Sequence, residues 1–147
     1  RVGAQGKVLA CDIQSTVTVF PPNVEFHQED VFQRSEAFER QLAETGPFHV
    51  VMSDMAPQTT GTKFTDQARS LELCLEALAV AEKYLVKGGS FVVKIFMGPD
   101  VGELLKGMRP RFARVTSFKP QSSRVESKET FFVGLGFKGK EADGARD

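Results

Sequence analysis

Carboxylates stand at the ends of three short apolar runs in this sequence. Asp12 and Asp54 close two of these runs, and Asp30 lies just beyond the third. Apolar runs bounded by turn residues predict strands of a largely parallel sheet, whose carboxyl ends meet at one edge where ligands bind. The run before Asp54 is fully apolar, which predicts a strand buried on both faces. An acid at such an edge suits ribose hydroxyls, which need paired acceptors. Three acids in register favour a nucleoside-type cofactor, whereas a single aspartate could simply turn the chain.

Lys94 interrupts the apolar run at residues 91–96. An ammonium group in an apolar strand costs several kcal/mol unless it is paired, so the position points to a partner. The ordinary alternative is that the side chain reaches into water at the end of the strand. The strand is expected beside the one that ends at Asp54, and Glu129 could supply a second carboxylate. Burial or a cationic neighbour would lower the pKa of this lysine, whereas a carboxylate partner would raise it. A lysine tuned in this way can accept a proton from a hydroxyl nucleophile.

Basic residues surround the polar segment that precedes the last predicted strand. Lys119, Arg124 and Lys128 form a cluster suited to phosphate contacts, with a solvated charged loop as the alternative. The formal net charge is +0, so a nucleic-acid partner would have to be held by a local patch such as this one.

Strands and helices alternate along the chain, which predicts an α/β fold with a mostly parallel sheet flanked by helices. The longest predicted helix is expected to end at the Gly88–Gly89 pair. Its apolar stripe, at spacings of three and four, consists of Leu71, Cys74, Leu75, Leu78, Ala81 and Leu85. The last two strands should pair antiparallel, because a loop of about nine residues is too short for a parallel crossover. The predicted strands cover residues 7–13, 24–28, 48–52, 90–96, 115–119 and 130–137, and the predicted helices cover residues 35–44, 65–86 and 101–108.

The composition, 41% hydrophobic and 26% charged over 147 residues, is that of a soluble globular protein. One domain is expected at residues 1–137, followed by a disordered tail at 138–147. Cys11 and Cys74 lack CxxC spacing and are interpreted as buried free thiols of a cytoplasmic protein. No metal site is expected, since the two histidines have no ligand pattern around them. No run reaches membrane-spanning length, and a monomer without a membrane partner is expected.

Three motifs together resemble the FtsJ/RrmJ family of ribose 2′-O-methyltransferases. They are Ser53-Asp54-Met55-Ala56-Pro57, then Gly88 to Lys94, then Ser122-Ser123-Arg124 with Ser127-Lys128-Glu129, in the family's order over nearly the whole chain. The resemblance implies a Rossmann-like methyltransferase fold, S-adenosylmethionine as methyl donor and RNA as substrate. In the best-known bacterial members the target is a uridine ribose of the large-subunit ribosomal RNA.

The resemblance also assigns roles to individual residues. The family's catalytic pattern is Lys-Asp-Lys-Glu, and its last three members fall on Asp54, Lys94 and Glu129. Asp12 would bind the ribose hydroxyls of the cofactor and Asp30 the adenine edge, with Asp54 near the methionine end.

The sequence departs from the family before residue 7. The first catalytic lysine and the Gly-rich cofactor loop of the family precede the segment that matches residues 7–13, and neither is present. The first six residues are typical of a helix end with its glycine stop. We therefore interpret the chain as an N-terminally incomplete domain.

Two other functions are compatible with parts of the pattern. A nicotinamide-dependent dehydrogenase would explain Asp12, but it gives no role to Lys94 or Glu129 and needs a GxGxxG motif that is absent. A non-catalytic RNA-binding domain of methyltransferase shape is favoured by the missing loop and opposed by the three tetrad-type residues.

Overall fold

The computed structural model describes residues 2–57, 60–119 and 129–140. Within these residues the chain forms six strands and three helices, which fall into two compact units, residues 1–47 and 48–147. Of the helices that the structure describes, none combines the length and the apolar character needed to span a bilayer.

The first unit contains a pair of parallel strands and one helix. Strands β1 (Val8–Asp12) and β2 (Val24–Gln28) pair in register from Val8 opposite Val24 to Asp12 opposite Gln28. Helix α1 (Glu36–Thr45) begins after Ser35, whose hydroxyl accepts a hydrogen bond from the Phe38 N–H at 3.1 Å. Such a cap satisfies one of the free N–H groups of the first turn, which explains why the helix starts there.

The second unit is a four-stranded mixed sheet in the order β3-β4-β6-β5. Its members are β3 (Phe48–Ser53), β4 (Leu85–Phe96), β5 (Phe112–Phe118) and β6 (Glu129–Phe137). Strands β3 and β4 are parallel, whereas β6 lies antiparallel between β4 and β5. The predicted class, an α/β fold with a largely parallel sheet and an antiparallel last strand, is confirmed.

Helices α2 (Lys63–Tyr84) and α3 (Val101–Met108) carry much of the core of this unit. The predicted stripe of α2 is confirmed in part: Cys74, Leu78 and Ala81 are buried in the same cluster as alternate residues of β4, whereas Leu75 is 38% exposed. Burying a large apolar side chain contributes roughly 1.5–3 kcal/mol, so this cluster fixes α2 against the sheet. The β4 residues in the cluster are Phe91, Val93 and Ile95, and Leu104, Met108 and Phe112 complete its fully buried part.

The predicted end of the long helix is wrong. Helix α2 ends at Tyr84, and Leu85 already pairs with Phe48 as the first residue of β4. Gly88 has φ +86° and lies where the register between β3 and β4 is irregular, so this pair of glycines shapes a bulge instead of stopping the helix. Tertiary pairing with β3 therefore overrides the helical pattern at Leu85.

Two expectations about burial are also wrong. Strand β3 is not buried on both faces: Val51 packs against the core, whereas Val50 and Met52 are exposed on the other face. In the described residues β3 is an edge strand of its sheet, so its two faces have different environments. Cys74 is buried as predicted, but Cys11, near the end of β1, is exposed.

Candidate active site

Lys94 lies near the carboxyl end of β4 on the face opposite the core. Alternate residues of β4 point to opposite faces, so Lys94 shares its side with Val92 and Phe96. Its side chain is only 16% exposed, and Nζ lies 3.9 Å from Oε2 of Glu129. Glu129 is the first residue of β6, opposite Phe96, which places the acid two positions beyond Lys94 along β4. The predicted proximity of this lysine to Glu129 is confirmed.

Asp54 follows β3 on the other side of Lys94. Ser53 pairs with Val93 on the parallel strand β4. Asp54 and Lys94 are the residues that come directly after this pair, one on each chain segment. The predicted neighbourhood of the two strands is therefore confirmed. The Asp54 side chain is exposed, and in the described part of the chain no ion pair includes it. Lys94 and Glu129 are brought into direct contact, whereas Asp54 lies beside them at the end of the adjacent strand.

Polar side chains of α2 hold the carboxyl end of β4. The Phe96 N–H donates to the Ser70 hydroxyl at 3.0 Å, and the Cys74 thiol donates to the Lys94 carbonyl at 3.0 Å. The Gln67 amide donates to the Met97 carbonyl at 2.8 Å. The sequence reading treated Cys74 only as part of an apolar stripe. The signal it missed was a row of polar residues at spacings of three and four on the buried face of the same helix.

The chain that leaves Asp54 is tied to the start of α2 by Asp66. The Asp66 carboxylate accepts hydrogen bonds at 2.8 Å from both the N–H and the hydroxyl of Thr60. The Thr60 N–H bond is the main reason that the pKa of Asp66 is below its ordinary value. Sequence analysis did not single out this acid, which lies in the first turn of α2.

Asp12 and Asp30 lie at the carboxyl end of the β1–β2 pair in the first unit. Oδ1 of each accepts one backbone hydrogen bond at 2.9 Å, from the N–H of Gln14 and of Phe32 respectively. The Glu29 N–H also donates to the Asp12 carbonyl at 2.9 Å, which ties the two strand ends together. Although Cys11 is exposed as a residue, neighbouring atoms shield its sulfur from part of the solvent, and this desolvation is the main reason that the pKa of its thiol is raised. The charges of Asp12 and Glu29 raise it further.

These residues fit the nucleoside part of S-adenosylmethionine. Within the described residues, each carboxylate accepts this bond through one oxygen, and its second oxygen remains able to accept from a hydroxyl or an amine. The Phe32 ring, next to Asp30 and 49% exposed, offers an apolar surface of the kind that stacks against a base. The prediction that all three acids share one sheet edge stays a prediction, since Asp54 belongs to the other unit.

Of the three basic residues predicted to contact phosphate, Arg124 and Lys128 lie outside the described residues. Lys119 follows β5 directly and is exposed. Within residues 2–57, 60–119 and 129–140 there is no group of three or more His, Cys, Asp or Glu side chains that could hold a metal ion.

The mixed sheet with its antiparallel last strand, together with the acids at the strand ends, defines a Rossmann-like methyltransferase. The chain belongs to the FtsJ-like methyltransferase family, whose family model matches residues 1–137. The predicted resemblance is thus confirmed, and the family indicates S-adenosylmethionine as the cofactor.

Curated relatives of this chain include two bacterial proteins named "Ribosomal RNA large subunit methyltransferase E". The protein from Nitratidesulfovibrio vulgaris (strain Miyazaki F) is 71% identical over 147 residues, which are 100% of this chain and 72% of the relative. The protein from Bdellovibrio bacteriovorus is 49% identical over 139 residues, with 92% of this chain and 69% of the relative covered.

Among solved structures, a Plasmodium falciparum protein assigned as a ribosomal RNA methyltransferase matches with a TM-score of 0.76. The match has 24% identity and covers 91% of this chain and 74% of that chain, and it supports the fold alone.

Proposed function

We propose that this protein transfers a methyl group from S-adenosylmethionine to a ribose 2′-hydroxyl of ribosomal RNA in the large ribosomal subunit. The RNA class follows from the names of the relatives, which are 71% and 49% identical to this chain. The observation that carries the reaction type is the little-exposed Lys94 amine at 3.9 Å from Glu129, at the carboxyl end of a strand. A monomer and the cytoplasm as its compartment remain predictions.

Lys94 is the proton acceptor in this proposal. S-adenosylmethionine supplies an electrophilic methyl group on a positively charged sulfur. The uncharged Lys94 amine would take the proton of the 2′-hydroxyl at Nζ, as the oxygen bonds to the methyl carbon and the carbon–sulfur bond breaks to leave S-adenosylhomocysteine. Glu129, 3.9 Å from Nζ, would hold the amine in place and pair with the ammonium that forms. Alignment of the hydroxyl against the methyl group supplies much of the rate, because a fixed geometry can replace several kcal/mol of entropic cost.

The three aspartates bind and orient the reactants. Asp12 takes the ribose hydroxyls of the cofactor and Asp30 the adenine edge, through the carboxylate oxygens that make no backbone bond. Asp54, exposed at the end of β3, faces the methionine end, where a carboxylate favours a positively charged sulfonium. Lys119, with Arg124 and Lys128 of the adjoining segment, contacts RNA phosphates, so binding is expected to weaken with added salt.

The test is the Lys94→Ala variant of the intact protein. Loss of a general base lowers rates by about 10²- to 10⁴-fold, so methyl transfer should fall by at least about 100-fold. The measurement is tritiated-methyl transfer to large ribosomal subunits that lack the modification, with naked ribosomal RNA compared in parallel. Calorimetry should find the affinity for S-adenosylmethionine mostly intact.

Lys106→Ala is the matched control, because Lys106 also lies 3.9 Å from a glutamate, Glu103, but is 80% exposed. It should methylate at the wild-type rate. Undiminished activity of Lys94→Ala would remove Lys94 from the mechanism. RNA binding without methyl transfer by the wild-type protein would indicate the non-catalytic RNA-binding domain instead. The family match favours either of these over the nicotinamide-dependent dehydrogenase.

A further inference from the structure

We propose that Gln67, Ser70 and Cys74 of α2, the α2 row, are positioning residues for Lys94. They hold the carboxyl end of β4 by its backbone and so set where the lysine amine lies. The inference rests on the proposed function, because it takes Lys94 as the proton acceptor.

The α2 row acts where β4 loses one of its two neighbouring strands. Pairing of β3 with β4 stops at Ser53 opposite Val93, whereas β6 continues along the other edge as far as Glu129 opposite Phe96. Beyond Val93 the edge of β4 toward β3 therefore has no strand partner among the residues that the structure describes. Unpaired backbone groups in the interior cost free energy, so this edge needs other donors and acceptors.

Side chains of α2 supply those partners. Cys74 donates to the Lys94 carbonyl, Ser70 accepts from the Phe96 N–H, and Gln67 donates to the Met97 carbonyl. The Lys94 carbonyl and the Phe96 N–H belong to alternate residues, and alternate residues direct their backbone groups to the same edge of a strand. The row thus replaces β3 along the last part of β4.

The row is built on one buried face of the helix. Residues 67, 70 and 74 are spaced by three and four positions, so their side chains lie above one another. Gln67, Ser70 and Cys74 are 7%, 1% and 2% exposed, and hydrogen bonds shielded from water are stronger than exposed ones. Gly98 allows the close approach of the amide, since a Cβ there would lie 2.5 Å from Cδ of Gln67.

Cys74 touches the backbone of Lys94 itself. Burial raises the pKa of the Cys74 thiol to about 12, so the sulfur keeps its proton and remains a donor at neutral pH. A serine at this position would also donate, whereas an alanine would not. Comparing the two variants therefore separates the effect of losing the hydrogen bond from the effect of losing side-chain volume.

A small shift of the strand end matters for the reaction. Nζ of Lys94 is 3.9 Å from Glu129, at the outer limit of an ion pair, and the amine has to meet a hydroxyl within hydrogen-bond reach. A misplacement of about 1 Å can cost about 100-fold in rate. Loosening the backbone at Lys94 should therefore lower kcat while leaving the binding of both substrates unchanged.

The experiment compares Cys74→Ala with Cys74→Ser in the intact protein. We expect Cys74→Ala to lower kcat by about 10- to 100-fold with unchanged dissociation constants for S-adenosylmethionine and for the large subunit. Cys74→Ser should recover most of the loss. Ser70→Ala provides a second variant that removes a different bond of the row and should also lower kcat.

Leu78→Val is the control for destabilisation alone. Leu78 lies on the same helix and is buried in the core, but its side chain cannot hydrogen bond to β4. This variant should unfold more easily than the wild type yet keep its kcat. A fall in kcat for Leu78→Val that matches the fall for Cys74→Ala would assign the effect to stability and overturn the proposal.

A second measurement does not depend on catalysis. In Ser70→Ala the Phe96 amide loses its acceptor, so its hydrogen exchange should accelerate by about 10-fold or more, whereas the Phe91 amide in the paired part of β4 should not change. Full kcat in Cys74→Ala and Ser70→Ala, alongside an inactive Lys94→Ala, would overturn this inference and leave the proposed function intact. An active Lys94→Ala would overturn both, whatever the exchange rates.

Discussion

Lys94 and Lys106 each lie 3.9 Å from a glutamate oxygen, yet the two pairs have different environments. The Lys94 and Glu129 side chains are 16% and 43% exposed, whereas those of Lys106 and Glu103 are 80% and 62% exposed. Exposed pairs contribute about 0–1 kcal/mol because water and salt screen them. The Lys94–Glu129 pair is screened less by water, so its attraction is the stronger of the two and can better hold an amine in a fixed position.

The Glu129→Gln variant tests this difference at a single residue. Glutamine keeps the size and the hydrogen-bonding atoms of the side chain but removes its charge, so the ion pair with Lys94 is lost. We expect methyl transfer to fall by about 10-fold or more in single-turnover measurements with the large subunit. Glu103→Gln, which removes the charge from the exposed pair, should have wild-type rates. Equal rates for the two variants would contradict a role for Glu129.

Helix α2 contacts the candidate site in two places, through its first turn and through its buried face. Its first turn carries Asp66, which ties down Thr60 in the segment that leaves Asp54. The face that follows carries the α2 row and then the apolar residues Leu78 and Ala81 of the core. One helix therefore holds the segment after β3 and the end of β4, so packing of its apolar half also positions its polar half.

Asp66 should make the free energy of unfolding depend on pH in the acidic range. Hydrogen bonds from Thr60 lower the pKa of its carboxyl in the folded state below the ordinary value of about 3.9. The folded state therefore favours the ionised carboxylate. Its contribution to the free energy of unfolding is complete above the ordinary pKa and is lost as pH falls through the folded-state pKa. We expect Asp66→Ala to be less stable than wild type at pH 7 and the gap to narrow toward pH 3. Thermal unfolding scans of both proteins across this range provide the measurement, and a gap that widens toward acid pH would contradict the assignment.

At the scale of the whole molecule, charge is balanced: 19 basic and 19 acidic residues give a formal net charge of +0. No long-range positive field draws the protein to RNA, so the proposed RNA contact depends on a local group of basic side chains. The apolar core of the second unit, by contrast, is continuous from α2 through β4 to α3 and β5. Opening that core requires the cooperative loss of most of its packing.

The two cysteines report on that opening. Cys74 is buried in the core and its thiol has a pKa of about 12, whereas Cys11 is exposed. We expect iodoacetamide to modify Cys11 alone in the native protein, and slowly, since the pKa of its thiol is also raised. Modification of Cys74 should appear only as denaturant unfolds the core, which mass spectrometry of the intact chain can follow. Rapid modification of Cys74 under native conditions would contradict its burial.

The sequence by itself determined most of the elements and supplied the residues that we propose for the site. The alternation at residues 24–28 and the apolar pair in 101–108 predicted β2 and α3 with the bounds that the structure has. The motifs around Asp54, Lys94 and Glu129 predicted the family. Glu129, which the sequence offered as a partner for Lys94, lies beside it in the structure. These features could be predicted because local periodicity and short motifs lie entirely within one short stretch of sequence.

Tertiary structure alone decided how β4 is held. Its start at Leu85 depends on pairing with Phe48, and its end depends on bonds from α2 to residues 20 to 30 positions away in the chain. Such contacts leave no periodic trace, because each is a single polar residue whose partner is a backbone group of another element. The exposure of Cys11 and Met52 was decided in the same way, since burial depends on which elements cover a strand and not on the strand's own residues.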